Sequence, residues 1–177
     1  MKVASVQLNL KHCFSKKQFH LTSGLHGNIY NRQHTGSEKA LGQLYQNNGY
    51  KNEISVFSKA DYTFKRFTFF ADLQYRYVNF DYKGSVALQK LDWHFINPKA
   101  GLSYQLNNKN SFYCYFGIAN KEPRRDDYEN GSVKPERLFD YELGWKYNTK
   151  KVKLSANAFY MNYKDQLVLT GALNDVG

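Results

Sequence analysis

Alternation between apolar and polar side chains from one residue to the next constrains this chain most, because period two marks a strand with one greasy face. From Glu53 to Phe64 the even positions are Ile54, Val56, Ser58, Ala60, Tyr62 and Phe64, set against Glu53, Ser55, Phe57, Lys59, Asp61 and Thr63. After Lys65-Arg66 the parity reverses. Phe67, Phe69, Ala71, Leu73, Tyr75 and Tyr77 become the apolar set, against Thr68, Asp72, Gln74 and Arg76. A tight turn at Lys65-Arg66 accounts for the reversal. It sets Tyr62 opposite Phe69, Ala60 opposite Ala71, Val56 opposite Tyr75 and Ile54 opposite Tyr77. Lys59 then falls opposite Asp72 on the other face, a favourable cross-strand pair. A one-residue slip would mix the faces, so the pattern fixes the register. Lys-Arg is not a favoured hairpin dipeptide, and the parity carries more weight than the turn chemistry.

A second hairpin follows the same logic. Phe139, Tyr141, Leu143, Trp145 and Tyr147 alternate with Asp140, Glu142, Gly144 and Lys146; beyond the turn come Val152, Leu154, Ala156, Ala158 and Tyr160. A turn over Asn148-Thr149-Lys150-Lys151 predicts Tyr147 facing Val152, Trp145 facing Leu154 and Leu143 facing Ala156. Between the two hairpins, Pro98, Ala100, Leu102, Tyr104 and Leu106 alternate with Asn97, Lys99, Gly101, Ser103 and Gln105. The return strand, Ser111 to Ala119, is apolar on both faces and leaves open whether Cys114 or Tyr115 points outward. Ala4, Val6, Leu8 and Leu10 make an N-terminal strand, with Phe19, Leu21, Leu25 and Ile29 as its partner.

The expectation is therefore eight antiparallel up-and-down strands. Short turns are expected near Lys16, Lys65, Asn108 and Thr149. Long polar loops are expected from Asn31 to Asn52, Tyr82 to His94 and Asn120 to Glu136. Strands of about ten residues with alternating short and long connections are the pattern of an outer-membrane β-barrel. Tyr62, Tyr75, Tyr77, Trp145 and Tyr147 near strand ends suit its interfacial girdles. A soluble sandwich also alternates, but its strands are shorter, about five or six residues, and it has no reason to alternate its connections.

Composition narrows the field further. The mean hydropathy of −0.68, with no apolar run longer than Phe112 to Phe116, excludes a transmembrane helix, which needs about 20 residues. A content of 17% aromatics argues against disorder. The net charge of +10 fits a nucleic-acid binder, a protein beside an anionic membrane, or neither. Cys13 and Cys114 are in no metal-ligand spacing; two inert thiols are favoured over one disulfide. The opening MKVASVQLNLKHCF lacks the apolar stretch of a secretory signal.

From Tyr50 onward the chain resembles the barrel of a TonB-dependent outer-membrane receptor. The matching phrases are NGYKNEISVFSKADY, FFADLQYRYVNF, FINPKAGLSYQLNNKNSFYCYF, NKEPRRDDY, KPERLFDYELGWKY and FYMNYKDQLVLTGALNDVG. The resemblance implies a barrel of about 22 strands around an N-terminal plug, in the outer membrane of a Gram-negative cell. Such a receptor imports a scarce nutrient (a ferric siderophore, haem, cobalamin or a saccharide) with energy from TonB delivered through the plug. Residues 1–177 then read as part of that barrel domain, without the plug or the closing strands. Its partners would be outer-membrane lipid, the TonB complex by way of the plug, and a small nutrient, with no nucleic acid. The isolated polypeptide, with two unpaired edges, is expected neither to insert stably nor to stay monomeric in water.

No enzymatic chemistry and no cofactor is legible. His20 and His26 share a face but stand about 20 Å apart, which disfavours a joint metal site. No Ser-His-Asp, Cys-His, GxGxxG or P-loop arrangement appears. The segment from Asn120 to Arg137 is the best functional candidate. There Arg124 and Arg125 offer guanidiniums to an anionic ligand, although a mutual salt-bridge network within the loop is the favoured reading. The facing set Lys59, Asp72, Gln74, Arg76, Lys99, Gln105, Asp140, Glu142 and Lys146 suits a lumen filled by water or a plug.

Two rivals remain. A basic all-β nucleic-acid module would mix tyrosines with cations on one face, whereas Tyr141, Trp145 and Tyr147 lie opposite Glu142 and Lys146. A small stand-alone outer-membrane barrel should carry its own signal peptide and closing strand.

Overall fold

The computed structural model describes residues 2–84, 89–124, 127, 131 and 134–166. It is one eight-stranded antiparallel sheet in sequence order. The strands are β1 (Lys2–Lys16), β2 (Phe19–Glu38), β3 (Gly42–Phe64), β4 (Phe67–Lys83), β5 (Leu91–Gln105), β6 (Asn110–Lys121), β7 (Glu136–Asn148) and β8 (Lys153–Lys164). Every strand pairs with its chain neighbour, while β1 and β8 occupy the two edges and do not meet. Eight strands here do not close on themselves, as a stand-alone barrel would require.

The β3–β4 register is the one the parity demands: Tyr62↔Phe69, Ala60↔Ala71, Val56↔Tyr75, Ile54↔Tyr77 and Lys59↔Asp72 all pair. The Lys65-Arg66 turn accommodates it by placing Lys65 in the left-handed region, φ 54°. That conformation costs a non-glycine residue about 1–2 kcal/mol, so pairing overrides turn preference.

The β7–β8 hairpin departs from expectation by one turn residue. Tyr147 pairs with Leu154, Trp145 with Ala156 and Leu143 with Ala158. Thr149 closes the turn: its N–H reaches Val152 O at 2.8 Å, and its hydroxyl both donates to Val152 O and accepts from Val152 N–H. Pairing thus persists to Asn148↔Lys153. The shift moves partners by two positions and preserves the faces, which is why alternation could not detect it.

Two of the expected long loops change character. Most of 31–52 is strand: β2 and β3 run on as a ribbon to Glu38↔Gly42, joined through 39–41, with Gly42 at φ 75°. Both faces of this ribbon are polar or mixed, so it has no period-two signal, yet the ladder satisfies its backbone all the same. Between β4 and β5 only 84–90 separates the strands, and 122–135 separates β6 from β7.

One face carries Val6, Leu8, Ile29, Ile54, Val56, Leu73, Ile96, Leu143 and Leu154, large apolar groups left exposed, Leu143 by 64%. Exposed apolar surface of this extent marks a face made for an apolar neighbour. Along β4 the apolar band runs from Phe67 to Tyr77, about 33 Å of strand at about 3.3 Å per residue. With a tilt of about 40° that spans about 25 Å of bilayer normal, the height of an outer-membrane apolar band. Cys114 pairs with Leu102 and so faces outward; Tyr115 faces inward. Cys13 lies on the inner face opposite Thr22, several strands away from Cys114, and both thiols are free.

Above Tyr77 the pattern inverts. Asn79, Asp81 and Lys83 now occupy the outer positions of β4, and Val78, Phe80 and Tyr82 the inner ones. On β5, likewise, Leu91, Trp93 and Phe95 point inward and Asp92 and His94 outward. The buried hydrophobics of the described residues, Val78, Tyr82, Trp93 and Phe95, are all in this upper inner zone. Once strands leave the bilayer the outer face is wet, and apolar groups shelter on the inside.

Candidate functional site

The inner wall at the loop end is built around a break in the sheet. The β5–β6 ladder runs from Gln105↔Ser111 to Lys99↔Gly117 and stops. Gln105 N–H donates to Arg66 O, which points odd-numbered β5 amides toward β4 and even-numbered ones toward β6. Pro98 therefore removes the very donor that β6 would next receive. Side chains replace the missing rungs. Asn97 Oδ1 accepts from Asn120 N–H at 3.0 Å and from Asn120 Nδ2 at 2.9 Å, and Asn120 Nδ2 also donates to Ile96 O at 3.1 Å. Asn97 Nδ2 donates to Gln74 at 3.0 Å, and Arg137 Nε donates to Asn120 Oδ1 at 2.8 Å. Both asparagines are buried and every polar atom of Asn120 is used, as a buried amide requires.

Freed from the ladder, the chain after β6 turns inward. Glu122 crosses over β5 to reach two other strands. Its Oε1 accepts from Lys51 Nζ of β3 at 2.5 Å, and its Oε2 pairs with the Arg76 guanidinium of β4. Arg76 also binds Glu53 at 3.1 Å, donates to Asn120 O and lies over the Phe95 ring at 5.4 Å. Burial alone would raise the Glu122 carboxyl, but the Lys51 hydrogen bond, a backbone N–H and the Lys51 and Arg76 charges hold it below its ordinary 4.5. Pro123 is buried beneath this turn.

Two adjoining cavities result, sharing Lys51 and Phe80. One, about 180 Å³, is lined by Tyr30, Arg32, His34, Asn47, Gly49, Lys51, Phe80 and Tyr82. The other, about 240 Å³, lies under the crossing segment among Lys51, Val78, Trp93, Lys121, Glu122 and Arg124. The lining mixes cations with flat aromatic faces, a chemistry for anionic and aromatic guests. A larger hollow of about 480 Å³ near the short turns is lined by Asp61, Asp140 and Glu142 beside Phe70, Tyr113 and Tyr115. Its carboxylates would repel an anion.

Of the residues expected from sequence, Arg124 lines the second cavity and is exposed; its N–H binds Asp127 Oδ2 at 2.6 Å. Arg125 lies outside the described residues. The expected ion pairing within the loop takes another form for Glu122, whose partners belong to the wall. The loop's one described capping contact is local, Asp127 on Arg124. Arg76, placed among lumen residues by parity, proves central. Lys51, Arg32 and Trp93 were missed because they lie in segments read as loops, and Tyr30 because it falls between the apolar set ending at Ile29 and the first of those segments. The inversion at Tyr77 was the available signal. His20 and His26 sit on the inner face with separate partners, Ser15 and Asn9.

The family described as TonB dependent receptor-like, beta-barrel, matches residues 4–177. A curated relative, the ferric-pyoverdine 358 receptor of Pseudomonas putida, is 36% identical over 73 residues, covering 41% of this chain and 9% of the relative. Among solved structures, the FrpB iron transporter from Neisseria meningitidis (F3-3 variant) superposes with a TM-score of 0.73 at 18% identity, covering 93% of this chain and 29% of that one. The ferric citrate transporter FecA in its unliganded form gives 0.72 at 11% identity, covering 93% and 28%. The chain thus spans under a third of the length of these relatives.

Proposed function

Since the chain belongs to the TonB-dependent receptor β-barrel family, whose members are Gram-negative outer-membrane proteins, we propose that it is a wall segment of a receptor that imports an anionic ferric chelate. Residues 1–177 supply eight neighbouring strands of the barrel, and the rest of the protein supplies the plug and the remaining strands. The observation that carries the reading is the pair of cation-and-aromatic cavities at the loop end, with Arg32, Lys51 and Arg124 beside Tyr30, Phe80 and Trp93. Charge selects for an anion over neutral cobalamin or a saccharide. The ferric-pyoverdine receptor relative and the iron-transporter neighbours support iron as the cargo. Arg124 and Arg125 are proposed as contacts from the loop, with energy delivered from TonB through the plug and lipid against the apolar face.

The test is radiolabelled uptake by cells whose only receptor for the cargo is the full-length protein. An anionic ferric chelate should enter, and a combined Arg32→Ala, Lys51→Ala variant should lose most of that uptake at normal surface abundance. Uptake of cobalamin or a neutral saccharide, with none of any anionic ferric chelate, would refute the reading.

A further inference from the structure

We propose that Lys51 and Arg76 form an anion subsite that Glu122 fills as an internal carboxylate, so that a carboxylate-bearing chelate binds by exchange with the receptor's own side chain. The inference rests on the cavity being the chelate site and adds how that site is opened.

Three observations carry it. First, Glu122 is the wrong residue for ordinary wall packing: it belongs to the segment after β6, yet both its oxygens are taken by strands on the far side of β5. Two cations on two oxygens of one carboxylate is the geometry in which a guest carboxylate would be held.

Second, the subsite is preorganised without Glu122. Arg76 is held independently by Glu53 at 3.1 Å and by the Phe95 ring, while Lys51 is the more accessible partner, its side chain 38% exposed against 10% for Glu122. Exchange of one carboxylate for another keeps the charge balance, so neither cation is left buried and unpaired, the outcome that makes breaking such pairs costly.

Third, Glu122 is attached to the cavity's roof. Lys121, Pro123 and Arg124 line the same hollow as Lys51 and Trp93, so releasing the carboxylate removes a tie between the covering segment and the two cations. Occupancy and roof position are thereby coupled through one ion pair, with a guest able to shift the equilibrium by its preference for the open arrangement.

The probe is citrate, alone and as its ferric complex, titrated into the full-length receptor in lipid nanodiscs with Trp93 emission as readout and Trp93→Phe as the control for assignment. Glu122→Gln removes the competing charge and should tighten citrate binding about tenfold, the gain if the open subsite is populated about a tenth of the time. Glu122→Asp should stay near wild type. A purely structural Glu122 predicts the reverse: unchanged or weaker binding in Glu122→Gln, which would overturn exchange. A second measurement does not depend on that variant. A nitroxide at Lys121→Cys, with Cys13 and Cys114 replaced by serine, should gain mobility under saturating citrate; unchanged mobility overturns exchange. The two readings separate cleanly. Tightened citrate binding in a receptor that imports no iron leaves the exchange standing and removes the proposed cargo. Iron uptake that needs Lys51 but is indifferent to Glu122→Gln does the opposite.

Discussion

The β3–β4 hairpin and the β5–β6 pair are both antiparallel neighbours in the same wall, but they are held together by different means. The first is an unbroken ladder from Asn48↔Lys83 to Phe64↔Phe67. The second keeps its ladder only from Gln105↔Ser111 to Lys99↔Gly117, and above Pro98 depends on Asn97, Asn120, Gln74 and Arg137. A ladder fixes register and little else, since every rung resembles the next. A side-chain seam is specific to its residues and lets the chain leave the wall, which is how Glu122 reaches Lys51 and Arg76. The site sits at the seam, where the chain folds inward.

The largest expected effect belongs to the hairpin. Leu73→Arg, on its outer face, should cost about 2–4 kcal/mol if that face meets the middle of the bilayer, read as a lowered denaturation midpoint of the full-length receptor in lipid. A neutral result would undo the assignment of the apolar face. Spin labels at Ala60, Leu143 and Ala156 should report bilayer oxygen for the same reason.

At the seam, Asn120→Ala strands Arg137 Nε and Ile96 O. Leaving such groups unpaired costs about 1–3 kcal/mol, and the loss should appear in hydrogen exchange as opening confined to the upper parts of β5 and β6. The matching change in the hairpin, Thr63→Ala, breaks only the Thr63–Thr68 hydroxyl contact, and should cost about 0.2–1 kcal/mol. Equal effects at the two sites would erase the distinction drawn between rung and seam.

Acid should separate the regions as well. The Glu122 carboxyl is held below 4.5, so its contribution is intact above that value and lost as pH falls through the lower folded value. Lys51, Arg76 and, through Arg76, Glu53 are the charged groups it faces. Trp93 emission should therefore shift below pH 4.5 while the β3–β4 amides stay protected. A shift at higher pH would point to another group.

The smallest effect is expected at the turn. Lys65→Gly relieves a left-handed φ of 54°, a strain of about 1–2 kcal/mol largely offset by the freedom glycine has in the unfolded chain. A raised midpoint by less than that amount is the expected outcome.

Much of the wall is legible in the sequence. Alternation from Ile54 to Tyr77 carried both strand identity and register, because burial against an apolar neighbour acts on every second side chain. It resolved the parity of β7 and β8 while missing where Thr149 closes their turn, since a shift of two leaves each face unchanged. It was silent on the β2–β3 ribbon beyond Asn31, where water meets both faces and backbone pairing needs no pattern in the side chains. On the inner face Phe57 stands among polar neighbours and is accommodated by its cross-strand partner Gly24, with the ring lying over it.

What the sequence by itself determined is the two-faced wall: its strands, its apolar band and the family to which it belongs, all written in local periodicity and short phrases. Only the tertiary structure decided the site. The meeting of Glu122 with Lys51 and Arg76, and of Asn97 with Asn120, joins residues from separate strands, and no local pattern encodes such a pairing. Pro98 shows why: in sequence it is one residue that cannot donate, and its consequence depends wholly on which neighbour that missing donor would have faced.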